Sequence, residues 1–353
     1  MKKTTICFII FFCLLSLCSN SAFASTKRIA LFGLTLNARL YTHVEKSFVQ
    51  TMSESKYKVS YKYMDVKKPL IALQETNIAN PDLQIDIYSP EGDQKASTEM
   101  ISKIKNGNYD VILTLGSPGT LAVKNAGITK TPVIFGAVID PKALGIVKDF
   151  VFPGTNYTGV STFVSMKLEF ATLKNLVPNA KKVGTILNKG EEQLTVTINE
   201  AKQIKGQFGI DELVVIPVDT LGLNPAETEK ELTKAAQSLV GKVDVIFIPG
   251  GAVTGSQASQ AIINIANLNK IPTVAFSEPA VEGGATAGVV ANLQDIGVRT
   301  ADILNQVLSG VPTTSIPIFV QNMPDIIVNL GAAKKAGIEV PADLLDKATR
   351  VIE

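Results

Sequence analysis

The sequence predicts an α/β protein made of two similar halves, each built around its own parallel sheet. Three observations predict it. Strand-like and helix-like segments alternate from end to end, an order that places helices on both faces of parallel sheets. The order restarts after Pro153. A local unit also occurs twice. Tyr109-Asp-Val-Ile-Leu-Thr-Leu-Gly-Ser-Pro-Gly in the first half matches Val243-Asp-Val-Ile-Phe-Ile-Pro-Gly-Gly in the second. A helix pattern follows each, and then Thr131-Pro-Val-Ile-Phe or Ile271-Pro-Thr-Val-Ala-Phe. Halves of this kind face each other across a cleft at the carboxyl ends of their strands, where open α/β sheets bind ligands.

In the first half, Arg28–Gly33 is a short apolar run ended by glycine, a buried strand. A helix pattern covers about Tyr41–Ser53, and the alternation over Lys58–Met64 reads as a strand. Thr98–Lys105 is helical, Asp110–Leu115 a strand, Thr120–Asn125 the start of a helix and Pro132–Gly136 a further strand. In the second half Lys182–Leu187 is a strand. Glu191–Gln207 is a helix with Gly209 placed to end it. Glu212–Val218, Val243–Ile248 and Pro272–Phe276 are strands, separated by helices over Ala226–Leu239 and Ser256–Leu268.

The chain has 353 residues, the length of two medium domains. It is 46% hydrophobic and 19% charged with a formal net charge of +2. No basic block or basic-aromatic interleaving occurs, which argues against nucleic acid as a partner. Residues 1–24 read as a cleavable signal peptide. Lys2 and Lys3 are the positive n-region, Ile6 to Leu17 the apolar stretch, and Ala22-Phe23-Ala24 the cleavage motif. Acylation at Cys18 is the competing reading, but Leu17 stands where a lipobox wants a small residue. Cys7, Cys13 and Cys18 all lie in this segment, so cleavage leaves neither a disulfide nor thiol chemistry. No later segment is apolar and long enough to span a bilayer.

Catalytic constellations are weak. Gly250, four residues, Gly255 and Ser256 lack only the lysine of a phosphate-cradling loop, and the counterpart Gly116-Ser-Pro-Gly-Thr120 lacks it too. Without that charge an NTPase has nothing to reach the β- and γ-phosphates. What remains is a strand-to-helix turn whose glycines let a ligand near the backbone. Ser117, Thr120, Thr254 and Ser256 suit helix capping. His43 stands alone in a polar helix-like stretch, and with no cysteine left no transition-metal cluster forms. No G-x-S-x-G elbow follows a strand. Glu191 and Glu192 suit a helix start. The expectation is therefore no enzyme, no cofactor and no metal. Glu278, before Pro279 at the end of a strand pattern, is a candidate cleft carboxylate.

A run of motifs resembles the ABC-transporter substrate-binding family, the TrpX-like branch of type I periplasmic binding proteins. Val133-Ile-Phe-Gly-Ala-Val-Ile-Asp-Pro141 with Gly145-Ile-Val147 resembles the family's P-I-V-F-A-A-V-T-D-P…A-G-L-V. Pro153-Gly-Thr-Asn-Tyr-Thr-Gly-Val-Ser161 resembles P-G-G-N-V-T-G-V-S, and Gly184-Thr-Ile-Leu-Asn188 resembles G-V-L-Y-N. Gly288 to Ile316 and the tail Ile327–Pro341 continue the likeness over the whole mature chain.

The resemblance implies two Rossmann-like lobes joined by three crossovers, near Thr158–Thr162, Ser277–Val281 and Ile316–Val320. Lobe 1 would be residues 26–160 plus 280–316, and lobe 2 residues 161–277 plus 317–353. It implies ligand contacts at Thr35 and Asn37, at Ser117 and Pro118, and at Gly136, Ala137 and Val138. Asn188, Gly250, Gly251, Glu278 and Asn292 complete the set. Several positions depart from the family: its T-D-N turn is Pro249-Gly250-Gly251, its G-V-S-D aspartate is Thr162, and Leu187 replaces a tyrosine. A buried α-ammonium needs carboxylates, so these neutral replacements weigh against a plain amino acid as ligand. The implied protein is a periplasmic, monomeric solute-binding component of an ABC importer. It would capture a small polar or aromatic molecule, an amino acid or related compound, and hand it to a permease in the inner membrane. The alternative is a sensor of the same fold that signals to a membrane receptor.

Overall fold

The computed structural model describes residues 25–37, 39–220, 222–251, 258–320 and 324–353. The expected signal segment, with its cysteines, and Thr254, Gly255 and Ser256 lie outside them. The elements of the first half are β1 (Lys27–Gly33), α1 (Arg39–Ser53), β2 (Val59–Val66), β3 (Leu83–Ser89), α2 (Gln94–Asn106), β4 (Val111–Leu115), α3 (Ser117–Asn125), β5 (Val133–Val138) and β6 (Tyr157–Ser161). The second half follows with α4 (Met166–Leu176), β7 (Lys182–Asn188), α5 (Glu192–Ile204), β8 (Glu212–Val218), α6 (Pro225–Leu239), β9 (Val245–Ile248), α7 (Ser259–Leu268), β10 (Thr273–Ala275), α8 (Glu278–Glu282) and β11 (Ala287–Val290). The chain ends in α9 (Leu293–Leu308), β12 (Phe319–Val320), β13 (Asp325–Asn329), α10 (Leu330–Ala336), α11 (Ala342–Lys347) and β14 (Arg350–Ile352).

These strands form two seven-stranded sheets. The first has the order β12-β6-β5-β4-β1-β3-β2 and the second β14-β13-β11-β10-β9-β7-β8. Pairing is parallel except between β11 and β13. Each sheet carries a buried apolar cluster on either face, which is what near-continuous apolar strands require. The expected α/β class, two lobes around parallel central sheets, describes this architecture.

The repeated unit has a repeated structural reason. Asp110 precedes β4 and accepts from the Arg28 N–H at 2.8 Å and from Lys27 Nζ at 2.8 Å. Asp244 precedes β9 and accepts from the N–H groups of Lys181 at 2.7 Å and Lys182 at 2.8 Å. In each lobe one aspartate thus satisfies the free backbone donors at the start of the neighbouring first strand. The X-Pro steps match as well: the Ile112 N–H donates to the Pro132 carbonyl at 2.9 Å, and the Ile246 N–H to the Pro272 carbonyl at 3.0 Å.

Five expectations need correction. Strand β3 is absent from the sequence reading, although it joins β1 to the edge strand β2 in lobe 1; Asp86 interrupts its apolar pattern. That aspartate is fully buried because Arg28 pairs with it, Tyr109 Oη donates to it at 3.0 Å and Gln84 Nε2 at 2.6 Å. Helix α5 stops at Ile204, and a 3₁₀ turn over Lys205–Phe208 carries the chain to Gly209, whose φ of 65° ends it. The second crossover is not at Ser277–Val281. There α8 packs on β11 and β13 and β11 continues the second sheet, and the chain returns to lobe 1 only at Ala291–Asn292, where α9 packs on α1, β5 and β6. The third is later than Ile316–Val320, because β12 still pairs with β6 of the first sheet. The first leaves β6 over Thr162–Ser165, whereas most of Thr158–Thr162 is strand.

Candidate functional site

The ends of β5 and β6 are built to turn a carboxylate toward the second lobe. The register of β5 against β6 shifts between Phe135 and Val138, and Ala137 inside this bulge has a φ of +58°. Such a bulge re-aims the residues that follow it. Their new positions are pinned: the Ile139 N–H donates to Ser117 Oγ at 3.1 Å, Ser161 Oγ donates to the Ile139 carbonyl at 2.7 Å, and the Thr162 N–H donates to the Val138 carbonyl at 2.8 Å. Asp140 follows, accepting from the N–H groups of Lys142 at 3.1 Å and Ala143 at 2.9 Å.

Asp140 opens onto a small cavity of about 20 Å³ where the two lobes meet, too small in this conformation for more than a water-sized guest. Lobe 1 supplies Ile139 and Asp140, and the first crossover supplies Phe163 and Val164. Lobe 2 supplies Met166 and Glu169 of α4, Val196, Thr197 and Glu200 of α5, Gly250 after β9 and Phe276 after β10. The cavity therefore sits at the carboxyl ends of strands from both sheets, where ligands of open α/β sheets bind. Its walls are mostly apolar and its charged side chains are all acidic. Glu169 is only 2% exposed, and its Oε2 has no hydrogen-bond partner. Burial, with the Glu200 carboxylate beside it, pushes the Glu169 carboxyl well above the usual range. Glu200 is also raised, first by burial and then by Asp140; the Met166 N–H and Lys167 act the other way. A second, shallow depression lies on the outer face of α6 around Glu229, Lys230 and Thr233, away from the strand ends.

Only one of the expected contact residues, Gly250, lines this cavity. Its lack of a side chain serves packing, because a Cβ there would stand 2.3 Å from the Phe276 ring. Gly251 follows it, half-buried. The matching turn of lobe 1 does the same with Gly116, whose Cβ would be 2.0 Å from Tyr41 Oη. Thr35 is exposed in the turn after β1, and the Asn37 N–H donates to Glu91 Oε1 at 3.3 Å. Ser117 is buried and accepts from Ile139, and Pro118 stands beside it in the first turn of α3. Thr120 closes that turn, donating to the Gly116 carbonyl at 2.8 Å.

The remaining candidates make contacts within the fold. Gly136 faces Thr300 of α9, while Ala137 and Val138 belong to the buried clusters on either side of the first sheet. Asn188 joins two loops: its Nδ2 donates to Glu191 Oε1 at 2.7 Å, and its Oδ1 accepts from Thr220 Oγ1 at 3.0 Å. Glu278 is paired with Arg350, which also holds Glu282 at 2.9 Å, so its charge is already matched within lobe 2. Asn292 caps α9, accepting from the Asp295 N–H at 3.0 Å. His43 is exposed, and among the described residues no group of three or more His, Cys, Asp or Glu side chains is placed to hold a metal. Sequence reasoning missed Asp140, Glu169 and Glu200. Asp140 was visible in the Val-Ile-Asp-Pro run at a strand end; the two glutamates sit on helices with nothing local to mark them.

Comparison with known proteins follows the same outline. Residues 63–352 match the family model described as ABC transporter substrate binding protein. The chain is 30% identical over 260 residues to the tyrosine-binding protein of Clostridioides difficile (strain R20291), covering 73% of this chain and 72% of that one. Among solved structures it resembles the ABC domain from Streptococcus pneumonia in complex with L-Trp, with a TM-score of 0.77 and 23% identity, over 93% of this chain and 100% of that one. It also resembles the ligand-free, open structure of a substrate binding protein with adhesive properties from Clostridium difficile, with a TM-score of 0.68 and 26% identity over 93% and 99% of the two chains.

Proposed function

Because the chain belongs to the ABC transporter substrate-binding protein family, we propose that it is the extracytoplasmic receptor of an importer that captures an amino acid with an apolar or aromatic side chain. The cavity shared by the two sheets carries this reading, since it joins an apolar wall of Ile139, Phe163, Val164, Val196 and Phe276 to carboxylates. The tyrosine-binding relative supports the ligand class, and Lys2, Lys3, the apolar run and Ala22-Phe23-Ala24 support export.

The neutral replacements that weighed against an amino acid lose their force. Asp140, which stands at the aspartate of the family's A-V-T-D-P motif, together with Glu169 and Glu200 brings negative charge to the cavity. Residues up to Ser161 together with Asn292–Val320 would move as one body, and Met166–Val290 with Asp325–Ile352 as the other. Closure would then bend the chain at Thr162–Ser165, at Ala291–Asn292 and after Val320. A closed receptor would present surfaces of both lobes to a membrane permease.

The test uses the chain from Ser25 onward. Thermal-shift and calorimetric titrations with L-tyrosine, L-tryptophan, L-phenylalanine and polar amino acids are expected to give saturable binding to the apolar or aromatic members. At a hundredfold excess over Kd the stabilisation should be about 2.7 kcal/mol, and small-angle scattering should report a more compact particle. Failure of every amino acid to shift the transition would refute the ligand class.

A further inference from the structure

The cavity between the lobes, at about 20 Å³, holds little more than one water, yet two glutamates and an aspartate line it. Glu169, in the first turn of α4, is buried, and its Oε2 has no hydrogen-bond partner. Glu200 of α5 lies beside it and accepts from the Met166 N–H at the start of α4. Asp140 acts on Glu200 from the other lobe, across the crossover Thr162–Ser165. Carboxylates shut in so small a space lose their hydration, a cost that only a counter-charge or a proton offsets.

Counter-charge is scarce. Lys167, on α4 itself, favours the ionised form of Glu200, but burial and Asp140 act more strongly the other way. Of the other elements packed on α4, β10 and β11 carry no charged residue. Helix α11 turns Asp343 to Lys347 at 2.7 Å and Asn175 at 2.9 Å, and its Asp346 is exposed. In the 3₁₀ turn after α5, Lys205 donates to the Asp211 carbonyl. Strand β7, which packs on α5, places Lys182 3.6 Å from Glu212. Two states avoid the cost. In one the glutamates keep protons and the lobes stay together; in the other they ionise and the lobes part, letting water in.

We propose that Asp140, Glu169 and Glu200 form a protonation-controlled gate at the first crossover: with protons on the two glutamates the cavity is shut, and loss of those protons sets like charges across it and swings the lobes apart. The inference rests on the two-lobed receptor reading above and adds when the cavity can be entered. An amino acid does not fit the shut cavity, so opening precedes capture. In the shut form burial, aided by the neighbouring carboxylates, holds protons on Glu169 and Glu200 to higher pH than ordinary carboxyls. Hydration in the open form returns both toward the ordinary range, so opening releases protons. The shut form prevails in acid, and the ratio of open to shut rises with pH above the ordinary carboxylate range, by on the order of tenfold or more from pH 5 to 8.

The chain from Ser25 onward has no cysteine. Ser102→Cys on α2 and Gln237→Cys on α6, both at exposed positions, therefore take a fluorophore pair that reports the distance between lobes by energy transfer. Without added ligand, the open-to-shut ratio is expected to rise at least tenfold between pH 5 and 8. Small-angle scattering of the unlabelled protein should show the same expansion. Glu169→Gln combined with Glu200→Gln should stay shut at both pH values, with a melting temperature at pH 8 unchanged or higher, which a merely structural role would not give. Asp140→Asn, on the other lobe, should reduce the pH response without touching either helix, and decides the matter if the double variant folds poorly.

A distance independent of pH in the wild type, or a response of wild-type size in both variants, would overturn the proposal. Stopped-flow mixing with L-tyrosine separates it from the receptor reading. Association is expected to quicken from pH 5 to 8 in step with opening. Tyrosine binding at a rate that ignores pH overturns the gate and leaves the receptor reading standing. A pH-dependent distance in a protein that binds no amino acid upholds the gate and counts against the ligand class alone.

Discussion

Glu45 lies on the buried face of α1, only 2% exposed, and neither of its carboxylate oxygens has a hydrogen-bond partner. Burial, with the Glu91 carboxylate nearby, pushes its carboxyl up to about 8. The folded protein therefore keeps a proton that the unfolded chain gives up in the ordinary carboxylate range. Stability attributable to this group falls as pH rises through that window and levels off above about pH 8. Glu45→Gln is expected to leave stability near pH 4 unchanged and to raise it by on the order of 3 kcal/mol at pH 8. Urea unfolding at the two pH values reads the difference; an equal effect at both would contradict it. Residues of this kind mark the limit of what sequence shows. Asp110 and Asp244 could be read as a repeated punctuation because each serves the strand beside it in the same way. Asp86 could not, because its partners Arg28 and Tyr109 come from distant parts of the chain. Glu169 and Glu200 were hidden for the same reason, since only the cavity that α4 and α5 share with the residues after β5 gives them meaning.

Among the elements, α1 and α9 show how closely two helices from opposite ends of lobe 1 are fitted. A Cβ on Gly297 would stand 2.2 Å from the Val44 carbonyl and 2.1 Å from Ser47 Oγ. The serine can rotate away, but the backbone of α1 cannot. Gly297→Ala should therefore push the helices apart and cost about 1–3 kcal/mol, measured by chemical denaturation. A stability equal to wild type would mean that the helices are not in contact at this point. Strands β1, β2, β4, β5 and β7–β10 and helices α1, α5, α6 and α7 were legible from periodicity because each buries one stripe or a continuous run, whereas α4 was not read. Helix α9 was not read from the sequence, and the position of β11 in the second sheet contradicted the expected second crossover. Where a chain changes lobes depends on which sheet edge is open, and neither side-chain period nor proline placement records that.

At the scale of the whole molecule, neither lobe is a continuous stretch of chain. Thr158 in β6 donates through Oγ1 to the Ile316 carbonyl at 2.8 Å, across 158 residues of sequence, and β12 pairs with β6 beside it. The second sheet in turn needs β13 and β14 at the far end. A chain that stops at Gly310 keeps most of both sheets but lacks these closing strands. It is expected to show no cooperative thermal transition by calorimetry; two separate transitions would mean that the lobes fold without them. The same threading has a consequence during synthesis. As the chain emerges from its amino end, β6 waits for Val320 and β11 waits for β13, so neither half can finish folding early. Contacts so distant in sequence form slowly. A polypeptide with this wiring leaves both sheets incomplete until β12, β13 and β14 have appeared.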